Sequence, residues 1–212
     1  MSWPKPRSAT FRITACRKNA MSELDALTGF NYSHADRRVF LSKLGAEFES
    51  EFIEAVRRSQ SLHQPWVFPP RSPEEYGSHL ERIRIGRTIA FLVRRKSDEC
   101  LAGAINVSEP VMGVFCSAYL GFYAFTPLQG QGYLTEGLSL VLDYAFEQLG
   151  FHRLEANIQP ANLASSALVR RLGFRKEGFS PRYLMIDGAW RDHERWAILS
   201  DEWPEYRQRL FA

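Results

Sequence analysis

Apolar and polar residues recur along the chain with two periods, and the switches between them divide it into elements. The segment Arg38-Val39-Phe40-Leu41-Ser42 reads as a first strand, and Phe48, Phe52, Ala55 and Val56 then fall on one face of a helix. Pro65, Pro69, Pro70 and Pro73 interrupt the chain around Trp66, after which Ser72 and Glu75 form a capping box that opens a second helix. Three extended runs follow, Thr88 to Val93, Leu101 to Val107 and Ser117 to Phe125. The polar turn Lys96-Ser97-Asp98-Glu99 separates the first two, as in an antiparallel meander.

From Gly132 onward the period lengthens. Leu134, Leu138, Val141, Leu142, Ala145, Phe146 and Leu149 recur at helical spacing and give the clearest helix of the chain. Leu154, Ala156 and Ile158 alternate with Arg153, Glu155 and Asn157 as a strand, and Asn162 caps a helix that stops at Gly173. Tyr183 to Ile186 and Trp190 to Leu199 are two strands joined by Asp187-Gly188, a two-residue hairpin signal. No internal repeat is visible. The pattern predicts one α/β domain over residues 36–212.

Composition narrows the class only a little. The chain has 212 residues, 45% of them hydrophobic, which suits one domain with a sizeable core. A net charge of +3 fits an anionic ligand but is too small for a dedicated nucleic-acid surface, so no direct nucleic-acid binding is expected. Cys16, Cys100 and Cys116 lack Cys-x-x-Cys spacing, so neither a disulfide framework nor a metal site is suggested. No apolar run is long enough to span a membrane, and a cytoplasmic protein is the default expectation. Residues 1–35 form a basic extension: Lys5, Arg7, Arg12, Arg17 and Lys18 precede the first acid, Glu23. It reads as a disordered tail or as sequence upstream of a start at Met21, with a targeting role as the competing reading.

The most informative segment runs from Phe122 to Thr135: a strand, the turn Gln129-Gly130-Gln131-Gly132, and a helix opening at Tyr133-Leu134-Thr135. The N–H groups of a helix's first turn attract phosphate, and Gly130 and Gly132 permit close approach and unusual dihedrals. A Gly-Lys-Ser/Thr ending is absent and Thr135 stands where a dinucleotide fingerprint needs its third glycine, so neither of those phosphate loops applies. An ordinary strand-to-helix turn is the competing reading.

Gln129-x-x-Gly132 resembles the Gln/Arg-x-x-Gly-x-Gly/Ala signature of GNAT acetyltransferases, with Leu134 in place of the last small residue. Asn162-Leu163-Ala164-Ser165 followed by Leu172-Gly173-Phe174 resembles the second half of that signature. The run from Ala156-Asn157-Ile158 to Trp190-Arg191-Asp192-His193, with His63-Gln64-Pro65-Trp66 upstream, is similar to the Rim-type ribosomal-protein-alanine N-acetyltransferases. The resemblance implies a mixed, mostly antiparallel sheet of about seven strands with a V-shaped splay and flanking helices. It implies acetyl-CoA as co-substrate and no metal. Cofactor contacts would come from the backbone of Phe122, Tyr123 and Ala124, from Gln129 through Thr135, and from Asn157, Asn162 and Ser165.

In the same resemblance Ser165 is the proton donor to the departing thiolate, because Val169 occupies the place where many relatives carry a tyrosine. Capping of its own helix is the equal alternative for Ser165. Glu177, Asp187, Asp192 and His193 are candidate bases by type, none singled out by spacing, and Cys116 as a nucleophile is disfavoured. Weak base assistance favours an α-amine, which titrates near 7.7–8.0, over a lysine at about 10.4. Trp66, Tyr183 and Trp190 are candidates to line the acceptor cleft, with core packing as the alternative. The expected acceptor is the N-terminus of a protein, ribosomal by analogy. A small amine is the second hypothesis and a non-catalytic CoA-binding or ribosome-associating module the third. Monomer and homodimer stay open.

Overall fold

The computed structural model describes residues 30–212. The basic residues Lys5, Arg7, Arg12, Arg17 and Lys18 and the alternative start at Met21 lie outside the described residues. Strands β1 (Asn31–Tyr32), β2 (Val39–Lys43), β3 (Thr88–Arg95), β4 (Leu101–Val111), β5 (Ser117–Ala124), β6 (Arg153–Ile158), β7 (Arg175–Ile186) and β8 (Ala189–Leu199) form one sheet. Their order is β1-β2-β3-β4-β5-β6-β8-β7. Every neighbouring pair is antiparallel except β5 with β6. The helices are α1 (Glu49–Arg58), α2 (Gln60–His63), α3 (Pro73–Arg84), α4 (Tyr133–Asp143), α5 (Leu163–Arg171) and α6 (Trp203–Phe211).

Alternation along β3 shows how the sheet divides the core. Ile89, Phe91 and Val93 point to the face covered by α4, whereas Ala90 and Leu92 point to the face covered by α1 and α3. The first cluster includes Leu138, Val141 and Leu142 of α4 and Trp203 of α6, and the second includes Phe52 of α1 and Tyr76 of α3. Each large apolar side chain so buried contributes roughly 1.5–3 kcal/mol. Helix α4 lies close on the sheet because Gly137 faces it. A Cβ there would sit 2.5 Å from a methyl of Val93.

Caps and turns fix the element ends. Ser72 Oγ accepts from the Glu75 N–H (3.2 Å), while the Glu75 carboxylate accepts from the Arg71 N–H (2.7 Å), so the expected capping box closes one residue further upstream than its usual form. Asn162 Oδ1 accepts from the Ser165 N–H (3.1 Å), and Gly173 after α5 has φ +90, in the left-handed region. The β7–β8 turn places Asp187 at φ 49 and Gly188 at φ 73, as a two-residue hairpin requires.

Three expectations need correction. The sheet has eight strands, not about seven, because Asn31–Tyr32 pairs with Ser42 and Leu41 ahead of the expected start at residue 36. Two residues are too few for alternation to register. Helix α2 went unpredicted for the same reason. Strand β7 begins at Arg175, eight residues before Tyr183, because its exposed charged residues hide the period; the bulges at Lys176/Gly178 and Ser180/Leu184 break it further.

Candidate active site

Strands β5 and β6 are in register for only three pairs, Ser117 with Arg153, Ala118 with Leu154 and Tyr119 with Glu155. Beyond Tyr119, β5 stays on β4 as far as Ala124 and β6 stays on β8 as far as Ile158, so the two part and leave a V-shaped notch. The Phe125 N–H bonds Ala102 O, directly opposite on β4 (2.9 Å). Because backbone polar groups alternate sides along a strand, those of Tyr123 also face β4, while those of Phe122 and Ala124 face the notch. Of the three strand residues expected to pair with a ligand, Tyr123 is thus turned away through its backbone.

His63 occupies one of the notch-facing groups. Its Nε2 lies 2.8 Å from Ala124 O, and since a carbonyl can only accept, Nε2 carries the proton and Nδ1 is left as an acceptor. The ring is 3% exposed, packs edge-on against Tyr123 and Phe125, and is held neutral by burial, which lowers its pKa below 6.5. Nδ1 is buried without a partner among the described residues.

The turn after β5 is braced from behind. Arg58 Nε donates to Thr126 O (2.8 Å) and Ser59 Oγ accepts from the Thr126 N–H (3.0 Å). Arg38 donates through Nε to Glu136 (2.6 Å) and through Nη2 to Gln131 O (3.0 Å), and its guanidinium covers the Tyr133 ring. Gly130 and Gly132 have φ +75 and φ +85. Gly132 is the N-cap of α4, and no side chain among the described residues caps the helix. Its first N–H groups are therefore directed at the cavity beside them, with the positive end of the helix dipole. Leu134, the departure from the family's small residue, turns toward the sheet. A Cβ on Gly103 would come within 2.9 Å of its Cδ1, so Gly103 supplies the room and the turn is not crowded.

A cavity of about 510 Å³ lies between this turn and α5. Phe122, Tyr123, Ala124, Gln129, Gly130, Gly132, Tyr133, Leu134 and Thr135 line one side, and Asn162 and Ser165 line the other. Trp66 is also in the lining, and its carbonyl accepts from Gln159 Nε2 (3.4 Å). Among the described residues no acidic side chain lines the cavity. These features suit a long ligand with a phosphorylated end. Among the described residues no group of three or more metal-ligating side chains comes together, and no helix is long and apolar enough to cross a membrane.

Other candidates lie elsewhere. Gln131 is outside the cavity lining; its Nε2 donates to Pro127 O (3.2 Å) and stiffens the turn. Asn157 faces the far side of β6 from Leu154, Ala156 and Ile158, opposite Arg195, and its Oδ1 is buried without a partner among the described residues. Tyr183 shares a hydrogen bond with Tyr119, whose pKa burial raises. Trp190 is 58% exposed opposite Met185 on the outer hairpin. Glu177 is paired with Arg153 and Arg175, which lower its pKa; Asp192 accepts from the Arg182 N–H (2.7 Å); Asp187 forms the hairpin turn. His193 is buried, with its pKa lowered by that burial. Cys116 precedes β5, at the opposite end from the turn.

Sequence reasoning missed Arg38 and Glu136, which meet across 98 residues, and His63, which it treated only as part of a resemblance. It also missed the rest of α5's cavity face. Ala164, Ser165, Ala167, Leu168 and Arg171 form a single helical stripe whose mixed small, polar and charged residues give no hydrophobic signal.

The pattern of the family described as "Acetyltransferase (GNAT) domain" matches residues 38–175. A probable N-acetyltransferase of Bacillus subtilis (strain 168), YjcK, is 34% identical over 122 residues, 58% of this chain and 67% of that protein. The [ribosomal protein uS5]-alanine N-acetyltransferase of Escherichia coli (strain K12) is 40% identical over 103 residues, 49% of this chain and 53% of that enzyme. The match thus spans about half the length of that relative. The solved structure of Mycobacterium smegmatis RimJ in complex with CoA-disulfide superposes with a TM-score of 0.74 at 27% identity, covering 85% of this chain and 91% of that one.

Proposed function

From the premise that the chain belongs to the GNAT acetyltransferase family, we propose that it moves an acetyl group from acetyl-CoA to the N-terminal α-amine of a polypeptide, ribosomal in the first instance. The donor half of this reading rests on the uncapped N-terminus of α4 beside a cavity without acidic lining. Phe122, Ala124, Gln129, Gly130, Gly132, Tyr133, Leu134 and Thr135 would hold the cofactor on one side, with Asn162 and Ser165 on the other. Gln131 would act only through the turn. Residues 36–212 are proposed as the catalytic domain and residues 1–35 as a basic extension.

One observation carries the choice of acceptor. The carboxylates at the closed end of the notch are neutralised: Glu155, opposite Tyr119 in the paired seam, accepts from Arg153 (2.9 Å) and Arg195 (3.2 Å), and Glu177 is matched by Arg153 and Arg175. A polyamine needs uncompensated acid, which neither of these carboxylates supplies, whereas a peptide N-terminus has one amine and a chain of amides. The likeness to the uS5-alanine enzyme points the same way. Trp66 would border the acceptor, with Tyr183 and the outer Trp190 further along it.

Chemically, the amine nitrogen bonds to the acetyl carbonyl carbon as the C–S bond breaks, and the electron pair leaves with sulfur. The amine loses a proton and the thiolate gains one, so the products are an amide and a free thiol. Ser165 Oγ, at the cavity edge, would pass the proton to sulfur. Its own N–H is already engaged by Asn162, so the hydroxyl is not needed as a cap. Most of the rate would come from holding the reactants in line. Because α-amines titrate near 7.7–8.0, little base strength is required at neutral pH.

The test offers acetyl-CoA with peptides beginning Ala, Ser or Met and, separately, small amines, and follows thiol release and product mass. Acetylation of a peptide α-amine, slowed about tenfold in kcat by Ser165→Ala, a loss larger than any accompanying loss of CoA affinity, is the expected outcome. Turnover of small amines alone would replace this reading with the second hypothesis. CoA binding without turnover would replace it with a binding module.

A further inference from the structure

The stripe Ala164, Ser165, Ala167, Leu168 and Arg171 runs the length of α5 along the cavity. Ser165 and Arg171 are six residues apart, about 9 Å of helix rise. If the thiol end lies at Ser165, the C-terminal end of α5 points along the cavity away from it. Among the described residues that line the cavity, Arg171 alone carries a full charge, since His63 is held neutral. It is exposed and has no ion pair among the described residues. Its neighbour Arg170 is accounted for by stacking on Trp196, with its guanidinium carbon 5.4 Å from the ring centroid.

Coenzyme A carries three phosphate groups: a linked pair in the pyrophosphate and a separate one on the ribose 3′ oxygen. The turn and the N-terminus of α4 supply backbone donors for the linked pair. The remaining group is doubly charged and is separated from that pair by the ribose, so a cation is what would recognise it. A guanidinium presents a planar fork of N–H donors that matches phosphate oxygens. We propose that Arg171 reads the ribose 3′-phosphate and makes the protein distinguish CoA from dephospho-CoA. The inference rests on the acetyl-CoA reading above but not on the identity of the acceptor.

Binding of CoA and of dephospho-CoA to the full chain would be measured by calorimetry, for wild type, Arg171→Ala and Arg171→Lys, with thermal melts to verify folding. Wild type is expected to bind CoA about tenfold more tightly than dephospho-CoA, with the gap narrowing as salt is raised. Arg171→Ala should weaken CoA binding by that factor and leave dephospho-CoA unchanged, and Arg171→Lys should retain part of the preference. Equal weakening of both ligands by Arg171→Ala, or a wild type that does not distinguish them, would overturn the assignment while leaving the acetyl-CoA reading intact. Failure of wild type to bind either ligand would overturn both.

Discussion

On the side of the notch formed by β5, the turn and α4, the groups directed at a ligand are backbone N–H and C=O groups. On the side formed by β6, β7 and β8, the groups we propose for the acceptor are side chains, held in arginine–glutamate pairs. The first side is fixed by dihedral angles and can be altered only by changing what the backbone tolerates. The second is fixed by charge balance and can be retuned one residue at a time. A shared donor chemistry combined with a variable acceptor is what such a division permits.

The largest effect that would break this comparison lies at Gly132, whose φ is +85 and where a Cβ would sit 3.1 Å from Arg38 Nη2. Gly132→Val should weaken CoA binding by at least thirtyfold while leaving peptide affinity unchanged, and calorimetry with each ligand checks both parts. The left-handed dihedral alone costs a non-glycine residue about 1–2 kcal/mol, more when β-branched. If peptide affinity fell equally, the two sides would not be separable.

A smaller effect is expected at Glu155, which two arginines share. Glu155→Gln leaves both with less compensation and makes the acceptor face more positive. The KM for a peptide with a basic second or third residue should rise about three- to fivefold, with CoA affinity unchanged and an acidic peptide affected in the opposite direction.

The smallest effect compares a histidine from each side. Burial lowers the pKa of both His63 and His193 below 6.5. Unfolding lets each bind a proton that the folded state refuses. Stability is therefore full above pH 6.5 and declines as pH falls below it toward the folded-state values. His63→Gln, which keeps a donor for Ala124 O, and His193→Gln should each flatten the stability–pH slope between about pH 6.5 and 5 in urea titrations. An unchanged slope in either variant would mean that its imidazole titrates alike in the folded and unfolded states.

The same contrast explains what could be read from the sequence. The donor side is contiguous: strand, Gly130, Gly132 and helix stand in one run, and Asn162 with Ser165 follows in another, so the motif and the geometry coincide. The side we propose for the acceptor is assembled from distant residues. Glu155 meets Arg195 across 40 residues, and Arg153 meets Glu177 across 24. No local period marks such pairs, and each residue alone looks like a solvated surface charge. Helix positions were legible where an apolar stripe faced the core, as in α4, and illegible where the stripe faced a cavity, as in α5. There Ala164, Ala167 and Arg171 follow no hydrophobic rule. His63 was legible as a residue but not as a partner of Ala124, since a hydrogen bond to a backbone carbonyl leaves no trace in side-chain spacing.

The parting of β5 and β6 after three paired positions has a mechanical side. Two sub-sheets, one of five strands and one of three, are joined across that short seam and by the helix and loop between them. The notch-facing groups of Phe122 behave like the edge of an unfinished sheet, which water satisfies until something extended is laid along it. An occupant would act as a removable splint between the two sub-sheets, coupling their opening into one cooperative event. The breadth of the melting transition, rather than its midpoint alone, would then report whether the seam is bridged.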